Sequence, residues 1–226
     1  DGLPLAIEMA AARIPLLGLA SLSERFDEWS RLLRQSGLGV PVRQQTLQSM
    51  LEWSHSLLAP QEQSVLRQLA AFAGSFCVDT AQQALAGPGL DEWAVLEALS
   101  ALVDKSLVQV ERSEPPRYRL LETTRRFAGM QLALHHETEP ALQRHGQAMA
   151  SLADQIERAF WSMGDRPWLA RHAPDYDDLQ AAFDRACQQR DADIAARTGL
   201  ALMRLDHLRS LNAPRRRRAE ALHGLL

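Results

Sequence analysis

Apolar side chains recur at steps of three and four residues over most of the chain, a spacing that predicts amphipathic helices. After Pro4, the positions Leu5, Ile7, Met9 and Ile14 give a strongly apolar helix to about Pro15. Ser21 and Glu24 form a capping box ahead of Leu22, Phe26, Trp29 and Leu33, which predicts a second helix ending near Gly37. Residues 36–45, rich in Gly, Pro and polar side chains, mark the first boundary. From Thr46, Leu47, Met50, Leu51 and Leu58 line one helix; Pro60 and Glu62 start another with Val65, Leu66, Leu69 and Phe72 inward and Gly74 as its stop. Asp79 is placed to cap a short helix to Leu85, and "DEWAVLEALSALVDKSLV" aligns Val95, Leu96, Leu99, Leu102 and Val103.

The period then changes to two. "SLVQVE" and "RYRLL" read as short strands separated by "RSEPP", whose tandem prolines suit a hairpin loop. Helices followed by a two-stranded hairpin predict a winged helix-turn-helix. Beyond it the helical period returns: Phe127, Met130 and Leu134 share one face, and Leu142, His145, Met149, Leu152, Ile156 and Phe160 predict one long helix after Pro140. A loop is expected at "GDRPW". "DYDDLQAAFDRACQQRD" and "ADIAARTGLALMRLDHL" follow as an antiparallel pair, and the pattern restarts near Arg215. That restart is close to the ~34-residue period of tetratricopeptide helix pairs.

Composition narrows the chemistry. The 226 residues are 46% hydrophobic and 23% charged, with a net charge of -3, so no global attraction draws the chain to nucleic acid or anionic lipid. Cys77 and Cys187 have no C-x-x-C spacing, which predicts two buried thiols and, with no apolar run long enough to span a bilayer, a cytoplasmic protein without a membrane partner. No P-loop, G-x-S-x-G elbow, H-E-x-x-H pair or G-x-G-x-x-G turn occurs, so no catalytic residue and no metal ligand is expected. "DYDD" at 175–178 lacks the glycine and distal glutamate of a calcium loop; acidic residues at a helix N-terminus explain it. Adjacent His135 and His136 point about 100° apart on a helix and read as exposed end-of-helix residues.

A winged helix raises the question of DNA. The helix ahead of the hairpin carries Asp91, Glu92, Glu97 and Asp104 against Lys105 alone, and phosphates would repel it. Arg117, Arg119, Arg125 and Arg126, with Arg112, make the wing and the next helix basic, so contact with nucleic acid or an acidic partner stays open there, against a solvated or salt-bridged face. The run Arg215 to Arg218 reads as a solvated helix edge, with contact to nucleic acid or an acidic partner as the alternative.

Several strings in one order carry a family resemblance. "GLPLAIEMAAAR" resembles the GLPL motif of the NB-ARC class of STAND ATPases. "QQTLQSMLEWSHSLLAPQEQSVLRQLAAFAGSF", "LSALVDKSLV" and "YRLLETTRRFA" resemble the winged-helix segment of bacterial members attached to transcriptional regulators. The resemblance implies a mainly α chain: a helical lid segment over 1–36, a winged helix with its small hairpin over 37–135, and tetratricopeptide-like sensor helices over 136–226. It further implies that a nucleotide-binding α/β domain precedes residue 1 and holds ATP or ADP with Mg²⁺, that this chain holds no cofactor and is no enzyme by itself, and that Pro4 packs against the adenine. The family's Met-His-Asp motif aligns with Leu120, Leu121 and Glu122, so the histidine is absent and only Glu122 keeps the acid. The implied function is regulatory: the winged helix clamps bound ADP until a protein or small-molecule inducer reaches the helical repeats. The implied partners are the NTPase domain, an output domain and that inducer. The alternatives are a DNA-binding winged-helix module and a plain interaction scaffold.

Overall fold

A computed structural model of the chain describes residues 42–225 together with Ala11, Ile14 and Gly18. The expected lid segment over 1–36, including Pro4 and the capping box at Ser21, lies outside the described residues except at those three positions. Helix α1 spans Val42–Ser56 and buries Met50, Leu51 and Trp53. Helix α2 spans Pro60–Leu69. It starts where predicted because Pro60 needs no N–H partner at the first position, and Glu62 reaches back to accept the Ala59 N–H at 2.9 Å. Val65, Leu66 and Leu69 are fully buried, each contributing about 1.5–3 kcal/mol of transfer free energy.

Helix α3 spans Val78–Leu85, with Cys77 rather than Asp79 at its N-cap. Cys77 has the extended backbone that a cap needs, and Asp79 sits inside the first turn, where the macrodipole favours its charge. Helix α4 spans Glu92–Asp104, and Asp91 caps it by accepting the Ala94 N–H at 2.8 Å. Val95, Leu99 and Leu102 face inward as read from the sequence, whereas Leu96 and Val103 are half-buried. Strands β1 (Gln109–Glu111) and β2 (Arg117–Arg119) pair antiparallel, with Val110 opposite Tyr118. Phe76 adds a third, one-residue rung by exchanging backbone hydrogen bonds of 2.9 and 2.8 Å with Tyr118. Three helices, a hairpin and this rung make the winged helix-turn-helix.

Helix α5 spans Glu122–Leu134 and corrects one expectation. Phe127, Ala128 and Leu132 face the core, while Met130 and Leu134 are 49% and 70% exposed. Helix α5 packs chiefly on α2, with smaller contacts to α1 and α6, and Leu134 is its last residue. Helix α6, Thr138–Phe160, is the long helix expected, with His145, Met149 and Ile156 fully buried. The predicted loop at "GDRPW" is instead the start of helix α7, Asp165–His172, entered through Gly164. Trp168 is fully buried there, donating to the Ile156 carbonyl at 3.0 Å with its ring edge-on to Phe160. A 3-10 turn over Ala173–Asp175 leads into helix α8, Tyr176–Gln189. Arg190 turns the chain in the left-handed region, and helix α9, Ala192–Leu208, returns along α8, capped by Asp191. Helix α10, Asn212–His223, packs on α9. Gly199 makes the α8–α9 approach possible, since a Cβ there would lie 2.8 Å from the Phe183 ring.

One buried apolar cluster runs from Met50 through the winged helix to Leu205. Helix α6 carries it across, because it packs on α3 as well as on α8 and α9. Cys77 and Cys187 are free thiols, half-buried and far apart in the fold's sequence order. Among the described residues no helix is long and apolar enough to cross a membrane, and no group of three or more His, Cys, Asp or Glu is placed to hold a metal ion.

Candidate functional site

The feature that sequence periodicity does not disclose is the polar joint between the winged helix and the helices after it. Helix α2 ends at Leu69, and the following turn leaves backbone N–H groups at Ala73 and Gly74 that the helix cannot satisfy. The Asp178 side chain, in the first turn of α8, takes both: Oδ1 accepts from Ala73 N–H at 2.7 Å and Oδ2 from Gly74 N–H at 3.1 Å. Gly74 must lack a side chain here, since a Cβ would stand 3.3 Å from both Asp177 Cβ and Asp178 Oδ2. Asp178 is 2% exposed and also receives His145 Nε2 at 3.0 Å.

The imidazole has a defined tautomer. Arg185 donates to His145 Nδ1 at 2.6 Å, so Nδ1 carries no proton and Nε2–H is the donor toward Asp178. Burial holds the His145 pKa below its ordinary value; the Asp178 hydrogen bond and charge oppose that shift, and Arg185 adds to it. The ring also meets Phe72 edge-on at 4.9 Å between centroids, directly under the α2 turn.

Two further ties flank this one. Arg117 of β2, 7% exposed, donates from Nε to Ser75 Oγ at 2.9 Å, from NH2 to the Ser75 carbonyl, and from NH2 to Asp175 Oδ1 at 2.6 Å. Arg67 of α2 forms a two-pronged pair with Glu137, the residue before α6, both bonds being 2.9 Å. That pairing holds the Glu137 carboxyl below its ordinary range despite some desolvation. The "DYDD" run is therefore more than a helix start complementing its dipole: Asp175 and Asp178 grip the wing and the α2 turn.

Beside the joint lies an open groove of about 540 Å³, lined among others by Arg119, Glu122, Arg125, Tyr176, Asp177 and Arg209. It brings together three of the residues singled out from the sequence. Glu122 is exposed at the start of α5 and accepts from Arg125, at 2.6 Å from NH2. Arg119 pairs with Glu111 across the hairpin at 3.1 Å, and the Arg209 guanidinium lies 4.9 Å from the centroid of the Tyr176 ring. Each arginine of the groove thus already has an intramolecular contact. Arg117 is buried behind the groove, whereas Arg126 is exposed and does not line it.

The helix ahead of the hairpin keeps the charge read from the sequence. Glu92, Glu97, Ser100 and Asp104 are exposed on α4, around a 66% exposed Trp93 whose indole donates to Glu97 at 2.9 Å. Lys105 is tied to Glu62 at 2.5 Å. In the Arg215 to Arg218 run, Arg216 and Arg217 are solvated as expected, but Arg218 is 5% exposed. It binds Asp206, Tyr176 and Gln180, a buried pairing that a charge run does not announce. His135 and His136 are exposed at the end of α5.

A family model described as a winged helix-turn-helix domain matches residues 58–133, which coincide with α2 through most of α5. A Mycobacterium tuberculosis protein named "Putative HTH-type transcriptional regulator" is 39% identical over 184 residues, covering 81% of this chain and 21% of the relative. A Mycobacterium bovis protein of the same printed name aligns equally well. An uncharacterized protein of Mycobacterium tuberculosis is 36% identical over 165 residues, 70% of this chain and 41% of the relative. The chain thus spans about a fifth of the length of the regulators it matches. No solved structure matches it significantly.

Proposed function

We propose that this chain is the regulatory portion of a larger bacterial transcriptional regulator of the STAND type, in which the winged helix is a contact module for protein and nucleotide rather than a reader of DNA. The observation that carries this reading is the commitment of the winged helix's surfaces. Its α4 face is acidic, and groove reading by a helix requires Arg, Lys, Asn or Gln at base edges and phosphates. Its most buried wing arginine, Arg117, is held by Asp175, and its α2 turn by Asp178. The names of the mycobacterial relatives support the regulatory setting.

In the longer protein, a preceding NTPase domain would hold ATP or ADP with Mg²⁺, with Pro4 at the adenine and Glu122 near the phosphates. Glu122 is exposed and, among the described residues, is held by Arg125 alone, so it is free to exchange partners. Hydrolysis would belong to that domain, since this chain has no P-loop. The tetratricopeptide-like helices α6 to α10 would receive the inducer, and the joint would pass its state to the winged helix, in the cytoplasm.

Fluorescence anisotropy of the 226-residue chain with labelled duplex DNA tests the reading. Weak binding that disappears as salt is raised is expected from the exposed Arg112, Arg119 and Arg126. Tight, salt-tolerant and sequence-selective binding would overturn it in favour of a DNA-binding winged helix.

A further inference from the structure

Beside Arg185, α6, α8 and the start of α9 border a half-open pocket of about 300 Å³. Arg185 lines it, with Leu142 and Ile194 as apolar walls and Glu139 and Asp191 at the polar edge. Gly146 forms its floor, where a Cβ would already touch Ile194 Cδ1 at 3.4 Å. The volume sits at the lower end of the roughly 300–1,000 Å³ of ligand pockets, so the occupant is of metabolite size.

Arg185, like Arg144 of α6, which bonds only the neutral Gln68 amide among the described residues, lacks the carboxylate partner that most arginines of this fold have. Arg67, Arg117, Arg197, Arg204 and Arg218 each form an ion pair, but among the described residues no carboxylate is within ion-pair distance of Arg185. Among the described residues its hydrogen bond goes to the neutral His145 Nδ1. The guanidinium is half-buried, and desolvation lowers its pKa, with the more distant charges of Asp178, Asp184 and Glu139 opposing that. A planar donor fork with spare N–H groups facing a pocket is matched by a carboxylate. A phosphate dianion would meet two carboxylates at the edge. An attached ammonium would instead be drawn to Glu139 and Asp191.

We propose that this pocket binds a small aliphatic amino acid, its carboxylate on Arg185, its ammonium at Glu139 and Asp191, and its side chain between Leu142 and Ile194. The site is joined to the winged helix through a short chain of hydrogen bonds: Arg185 to His145 at 2.6 Å, His145 to Asp178 at 3.0 Å, and Asp178 to the Ala73 and Gly74 amides. A carboxylate that draws the guanidinium off Nδ1 releases the imidazole and, with it, one of the three bonds that position Asp178. The inference rests on the proposed regulatory reading and names its inducer class.

The test is an NMR titration of the ¹⁵N-labelled 226-residue chain with L-leucine and the other aliphatic amino acids, then with isovalerate and isoamylamine, which carry one charge each. Saturable shifts at Leu142 and Gly146 are expected from at least one amino acid, together with shifts at the Ala73 and Gly74 amides. Each single-charge analogue should bind at least about tenfold more weakly, as should the amino acid to Arg185→Gln. Glu139 is exposed, so Glu139→Gln leaves the fold intact and should weaken the amino acid but not isovalerate. No saturable shift from any aliphatic amino acid at tens of millimolar overturns the site, and binding unaffected by both substitutions does the same. Binding without movement of the Ala73 and Gly74 amides overturns the link to the winged helix. None of these outcomes depends on the DNA titration, so the two readings fail separately.

Discussion

Replacing Asp178 by Ala is the sharpest perturbation of the joint. The side chain accepts from Ala73 N–H, Gly74 N–H and His145 Nε2–H, and truncation orphans all three donors. A buried donor without a partner costs about 1–3 kcal/mol. His145 is fully buried and carries the larger share, while the Ala73 side is exposed enough for water to replace part of the loss. The expected destabilisation is therefore about 3 kcal/mol. With a urea dependence of roughly 1–3 kcal/mol per molar, the unfolding midpoint followed by circular dichroism should fall by roughly 1–3 M. Asp178→Asn keeps one carbonyl acceptor and should lose about half as much. Hydrogen exchange supplies the local readout, since the Ala73 and Gly74 amides should lose protection ahead of the α2 amides behind them. A midpoint shift below about 0.3 M for Asp178→Ala, with those two amides still protected, would refute the reasoning.

Two other outcomes follow from the same contacts. Arg117→Met should destabilise the chain by about 3–5 kcal/mol, because it strands the buried Asp175 carboxylate; adding Asp175→Leu should recover most of the loss, as measured in a double-mutant cycle by urea unfolding. Burial holds the His145 and His55 pKa values below their ordinary 6.5, so just below that pH the unfolded chain binds more protons than the folded one. Their neutral-state stability is fully present above about pH 6.5 and declines as the pH falls through it, by at most about 1.4 kcal/mol per pH unit for each histidine. His145→Gln should flatten that slope in unfolding curves taken between about pH 5 and pH 7.

What the amino-acid pattern discloses is what is local. Val65, Leu66 and Leu69 repeat with the helical period and all reach the core, and Pro60 with Glu62 starts α2 as read. The switch from period three-and-a-half to two places the hairpin around "RSEPP" correctly. Local signals mislead at a helix end, as at Leu134 of α5, or where one tryptophan organises a short helix, as Trp168 does for α7. The joint is illegible for a different reason. Asp178 lies 105 positions from Ala73 and 33 from His145, and no periodicity links residues so far apart. Arg117 among five basic residues looks like surface until Asp175 is known to face it. The sequence hints were the "DYDD" run, read as a helix start, and Gly74, read as a helix stop, whose missing Cβ leaves room for the incoming carboxylate.

The acidic face of α4 bears on how a regulator carrying this domain would move through a bacterial cell. Proteins that find their operators by sliding rely on a standing, sequence-independent attraction to the duplex, supplied by cations that displace condensed counterions. Glu92, Glu97 and Asp104 displace none, so α4 gives the domain no such hold, and the weak attraction left to it comes from the exposed Arg112, Arg119 and Arg126. A hold of that kind, lost as salt rises, would let the domain touch the duplex without dwelling on it.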